Sequence, residues 1–109
     1  MGRQLIPSRF QVLGCNVEVE LRDSENWDHD DVVGMYDPMN HRITVVVTNQ
    51  QIMEHAFFHE LVHCILFSLG KNELSEDEAF VDTFAGLLHQ AMKTATYEAD
   101  TNGRKKGKR

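Results

Sequence analysis

The stretch QIMEHAFFHELVHCILFSL, residues 51–69, constrains this chain more than any other. Ile52, Met53, Ala56, Phe57, Phe58, Leu61, Val62, Cys64, Ile65, Leu66, Phe67 and Leu69 fall on every side of a helical wheel, the pattern of a buried helix. Set into it are His59, Glu60 and His63, in the order H-E-x-x-H. Side chains four apart on a helix share a face, so the two imidazoles can turn one nitrogen each towards a common point, with Glu60 beside that face. Burying two imidazoles and a carboxylate without partners is costly, and a metal ion removes most of that cost. Catalytic zinc takes three protein ligands and a water, and two His plus one carboxylate is a standard set. Such a metal lowers the pKa of its water to about 7. Glu60, a base and not a ligand, would then take the proton. The competing reading is two core histidines bonded to backbone, with Glu60 at the surface.

The third ligand has to come from later in the chain. Glu73, Glu76, Asp77, Glu78, Asp82 and His89 are the candidates. Glu78 is preferred, with Asp82 behind it. The two are four apart and flank the apolar stripe of a second helix made by Phe80, Val81, Phe84, Ala85, Leu87, Leu88, Ala91 and Met92. Asp82 would accept a hydrogen bond from the free nitrogen of a zinc-bound His and fix its tautomer. Against this, Ser75-x-x-Glu78 is itself a capping-box pattern that needs no metal. His55 lies one turn before His59, but eight residues of helix rise about 12 Å, so His55 and His63 cannot share an ion. His55 is placed at the cleft rim or in solvent, and Cys64 in the packing.

Taken in order, residues 1–7 lead in to Pro7. Phe10 to Val12 and Val17 to Leu21 alternate with period two and read as paired strands around a Gly14-Cys15-Asn16 turn. The acidic stretch 23–31 reads as a loop, and its Asp28-His29-Asp30-Asp31 as solvated charge. Val32 to Tyr36 and Ile43 to Val47 form a hairpin around Asp37-Pro38-Met39-Asn40. Thr48 is expected to N-cap the motif helix, with Gln51 completing a capping box, and Gly70 to close it. Ser75 is expected to N-cap the next helix, running to about Thr96. The fold class is therefore α+β: a small antiparallel or mixed sheet packed on the H-E-x-x-H helix and a C-terminal glutamate helix.

At 109 residues this predicts one domain, residues 1–98, followed by a disordered basic tail, residues 99–109. Arg104, Lys105, Lys106, Lys108 and Arg109 crowd the end, although the net charge is −6. The acidic body is ill suited to nucleic acid phosphates, which only the tail would contact. Cys15 and Cys64 give neither a disulfide framework nor a Cys-based zinc site. No apolar leader follows the first residues, and the apolar helix carries His, Glu and His, so a cytoplasmic protein without a membrane span is expected.

His59-Glu60-x-x-His63 followed by Glu78-x-x-x-Asp82 resembles the gluzincin arrangement of zinc metallopeptidases. Residues 78–88, EAFVDTFAGLL, are similar to the second helix of ImmA/IrrE-type metallopeptidases, and small phage-encoded H-E-x-x-H proteins share the look. The resemblance covers about residues 32–92. It implies a strand layer, an active-site helix and a glutamate helix, with Zn2+ as cofactor and a protein or peptide substrate paired to an edge strand. The chain departs from the pattern in its short gap between His63 and Glu78 and in lacking a domain for a second cleft wall. Candidates for transition-state stabilisation reduce to His89, Tyr36 and Tyr97. Two other functions compete: a non-catalytic, zinc-stabilised interaction domain, phage-encoded in origin, and a metal-free helical adaptor.

Overall fold

The computed structural model describes residues 4–27 and 32–98. The tail and the Asp28-His29-Asp30-Asp31 cluster lie outside the described residues.

Strand β1 (Arg9–Val12) turns into β2 (Cys15–Arg22) through Leu13 and Gly14, both left-handed, at φ 53° and 79°. Two positive φ values in a two-residue loop suit the twist of a tight hairpin. After a short 3-10 turn at Ser24–Asn26 the chain forms β3 (Gly34–Asp37) and β4 (Arg42–Val46). Asp37 organises the connecting loop: its Oδ1 accepts the Met39 and Asn40 amides at 3.1 and 3.3 Å, and Oδ2 accepts Asn40 Nδ2 at 2.8 Å.

The sheet order is β1-β2-β4-β3. Both hairpins are antiparallel, and β2 pairs with β4 in parallel, Val19 opposite Ile43 and Leu21 opposite Val45. The sheet is thus mixed and the fold α+β. The parallel pair leaves β3 at one edge, and that edge borders the helices.

Helix α1 (Gln50–Leu69) crosses the sheet. Its N-cap is Asn49, whose Oδ1 accepts the Ile52 amide at 2.9 Å; Thr48, the expected cap, lies one residue too early. Gly70, at φ 73°, ends it as expected, its amide reaching the Leu66 and Phe67 carbonyls. A single turn follows, α2 (Asn72–Ser75), which the sequence did not announce. Helix α3 (Glu78–Thr94) ends near the expected point. Its cap is Asp77 and not Ser75: Asp77 Oδ1 accepts the Phe80 amide at 3.1 Å. Glu78 therefore has no part in a capping box.

The core joins Val17, Ile43 and Val45 of the sheet to Phe57, Phe58, Val62 and Cys64 of α1 and to Val81 and Ala85 of α3. The expectation that α1 is buried all round fails. Ile52, Ile65, Phe67 and Leu69 are exposed, because the sheet and α3 cover only part of its circumference. By length and composition alone α1 could cross a membrane, and 44% of its most apolar window is buried in the fold.

Candidate metal centre

Helices α1 and α3 pack along one another, and five titratable side chains meet between them. From α1 come His55, His59 and His63; from α3 come Glu78 and Asp82. His59 Nε2 lies 3.2 Å from Glu78 Oε1, and His63 Nε2 lies 3.6 Å from Glu78 Oε2. Tetrahedral zinc with bonds of about 2.0–2.2 Å sets its donor atoms about 3.4 Å apart; one donor atom from each of the three side chains lies within 4.8 Å of the others, so the trio could hold one ion. The two imidazoles are mostly buried, and Glu78 is largely exposed.

The other ring nitrogens are held as well. His59 Nδ1 is 3.2 Å from Asp82 Oδ1. Both ring nitrogens of His59 thus face carboxylates; with Nδ1 donating to Asp82, the Nε2 lone pair would be left for a metal on the Glu78 side. His63 Nδ1 is 2.7 Å from Ser75 Oγ, which orients the second ring in the same sense. Burial, together with the neighbouring His59, holds His63 below its usual pKa, and Glu78 works against this. Hydrogen bonds from His55 and His59 hold Asp82 low despite its partial desolvation.

Glu60 faces a different space. Burial pushes its carboxyl up to about 7, Glu78 adds to the rise, and His59 and the Tyr36 amide pull the other way. That amide belongs to the edge strand. Gly34 makes the approach possible, since a Cβ there would stand 3.2 Å from Thr44 O and 3.3 Å from Glu60 Cγ. An open cleft of about 430 Å3 runs along β3, with Glu60, His63, Tyr36, Phe67, Asn72 and Ser75 among its walls.

Of the five residues singled out in the sequence, α1 and α3 bring His59, His63, Glu78 and Asp82 together, while Glu60 lines the cleft beside β3. His89 is not with them. Its Nε2 donates to Glu54 Oε1 at 2.9 Å and its ring stacks on Phe58, in the buried far part of the α1–α3 contact. Tyr36 lines the cleft, but its hydroxyl donates to the Cys64 sulfur, and burial first, then that bond, pushes its pKa up to about 12. Tyr97 stands beyond α3 and is exposed. Two partners were missed. Ser75 was assigned to a cap, because its pattern matched one. His55 was assigned to the rim or to solvent, yet its Nε2 sits 2.9 Å from Asp82 Oδ1. The signal for His55 was present, in its place four residues before His59.

No protein-family model, curated protein or solved structure matches the chain.

Proposed function

We propose that this chain is a minimal zinc metallo-endopeptidase in which His59, His63 and Glu78 hold Zn2+ and Glu60 is the general base. The convergence of His59 Nε2, His63 Nε2 and both Glu78 oxygens carries this reading. Zinc held there would supply Lewis acidity towards a peptide carbonyl. Asp82 and Ser75 would hold the two rings in orientation, each bonded to the Nδ1 that faces away from the metal side. Glu60, beside the ligands and with its carboxylate oriented by the Tyr36 amide, would accept a proton from the attacking water and pass it to the leaving amine.

The substrate is an extended peptide or unfolded protein segment laid along β3. Val33 O accepts the Val46 amide, so strand alternation turns the Gly34 backbone groups and the Tyr36 carbonyl away from β4 and towards the cleft, the Tyr36 amide being taken by Glu60. An added strand there passes directly over Glu60 and His63. A cytoplasmic setting without membrane attachment belongs to the same reading, with nucleic acid contacted at most by the basic tail.

One observation favours the zinc-stabilised interaction domain instead: the Tyr36 hydroxyl is engaged by Cys64 and so is not free to stabilise an oxyanion. Turnover of an unfolded protein substrate separates the two. Glu60→Gln should retain zinc and lose hydrolysis, whereas His59→Ala should lose both. Wild-type protein loaded with zinc that cleaves no faster than Glu60→Gln leaves the interaction domain as the function.

A further inference from the structure

The three histidines of α1 recur at every fourth residue, 55, 59 and 63, and the two carboxylates of α3 do the same, at 78 and 82. The helices pack so that each adjacent pair of histidines faces one carboxylate. The trio His59, His63 and Glu78 is therefore repeated one turn back by His55, His59 and Asp82. His55 Nε2 stands 2.9 Å and His59 Nδ1 3.2 Å from the same Asp82 Oδ1. Those separations lie close to the donor spacing of a tetrahedral ion. His59 belongs to both trios without conflict of geometry, since Nε2 faces Glu78 and Nδ1 faces Asp82. Gly86 of α3 lies beside His55, where a Cβ would make ordinary van der Waals contact with His55 Cε1 at 3.7 Å.

We propose that His55, His59 and Asp82 form a second site for a divalent transition-metal ion, with the His59 ring bridging the two ions. Two imidazoles and one carboxylate suit zinc, cobalt, nickel and copper rather than calcium or magnesium. The ion takes the place of the proton that Nδ1 shares with Asp82, and that proton passes to solvent. The second site is the weaker one, because filling it displaces this hydrogen bond and brings two cations onto one ring. Asp82 then has two roles, orienting His59 when one ion is bound and ligating when two are bound. The inference goes beyond the hydrolytic reading and needs none of its chemistry.

Titration of the metal-free, untagged full chain with Co2+, followed by equilibrium dialysis and visible absorption, tests it. The wild type should take up two ions per chain, the second at least tenfold more weakly. His55→Ala should take up one and keep the tighter one, and His55→Gln, which preserves bulk, should give the same count. His63→Ala should also take up one, with the weaker affinity, and circular dichroism of each variant establishes that the fold is retained. Saturation of the wild type at one ion overturns the proposal, as do two ions in both His55 variants. Two ions in His63→Ala with one in His55→Ala would support the second site while showing that His63 is not a ligand of the first.

Discussion

Glu78 and Glu76 carry the same charge two residues apart, yet only Glu78 stands against the histidines. If Glu78 ligates, Glu78→Ala should reduce tight zinc affinity by more than the roughly 10–100-fold expected from losing an orienting partner, the loss predicted for Asp82→Asn. Because Asp77 supplies the α3 cap, Glu78→Ala should leave stability of the metal-free chain nearly unchanged, whereas loss of a cap costs about 1 kcal/mol. Glu76→Ala is the control and should leave zinc in place. Competition of each variant against a chromophoric chelator measures these affinities, and release of zinc by Glu76→Ala alone would place the ligand on the wrong turn. A second residue-scale test concerns Glu54, only 3% exposed and bonded by His89, Gln50 and Lys93. Burial raises its carboxyl pKa, but those three hydrogen bonds outweigh burial and the net shift is below the usual 4.5. A depressed folded-state pKa contributes stability above the unfolded value, lost as pH falls through the folded one. Glu54→Gln should therefore flatten the loss of stability below about pH 4.5 and lower stability at pH 7 by about 1–3 kcal/mol, read from urea melts at several pH values.

Among the elements, β3 and α1 decide where Glu60, the proposed base, stands. They meet at Gly34, where the strand passes close to Ala56 and Glu60. Gly34→Ala should push α1 from the strand by a few tenths of an ångström or rotate Glu60, at a cost of about 1–3 kcal/mol for overpacking. The Glu60–Tyr36 amide bond should weaken with it, while zinc affinity changes little, since His59, His63 and Glu78 lie on α1 and α3. Hydrolysis lost at constant zinc affinity is the expected signature, and unchanged hydrolysis would show that the close approach does not set the base. The short helix α2 matters for its last residue alone: Ser75 reaches back to His63 across the turn closed by Gly70.

For the whole molecule, the core is a thin layer between one sheet and two helices, and the polar groups of the site sit at its margin. A ligand that binds only the native state stabilises it in proportion to the logarithm of its concentration over its dissociation constant. Stripping zinc with excess chelator should lower the melting temperature, by roughly 4–8 °C for each kcal/mol lost in a domain of this size. Calorimetry with metal loss confirmed by elemental analysis checks this. An unchanged melting curve would mean that the centre contributes nothing to the fold.

The sequence by itself determined the α+β class, the presence of two hairpins, the Gly70 stop and the face shared by His59 and His63, because these follow from local periodicity, turn chemistry and four-residue spacing; the first turn falls at Leu13-Gly14 and not at the expected Gly14-Cys15-Asn16. It also singled out Glu78 and Asp82, since the same spacing puts both on one flank of α3. Only the tertiary structure decided the rest. The parallel β2–β4 pairing depends on how the second hairpin returns to the first, which no local pattern encodes. The caps moved from Thr48 to Asn49 and from Ser75 to Asp77 because more than one residue near each start can accept the first amides, and packing chooses among them. The exposure of one side of α1 depends on where the sheet and α3 pack against it. His55 and Ser75 acquired partners 27 and 12 residues away in sequence once α3 and α2 packed against α1. Such contacts are set by the distance between helices, and composition and periodicity carry no record of it.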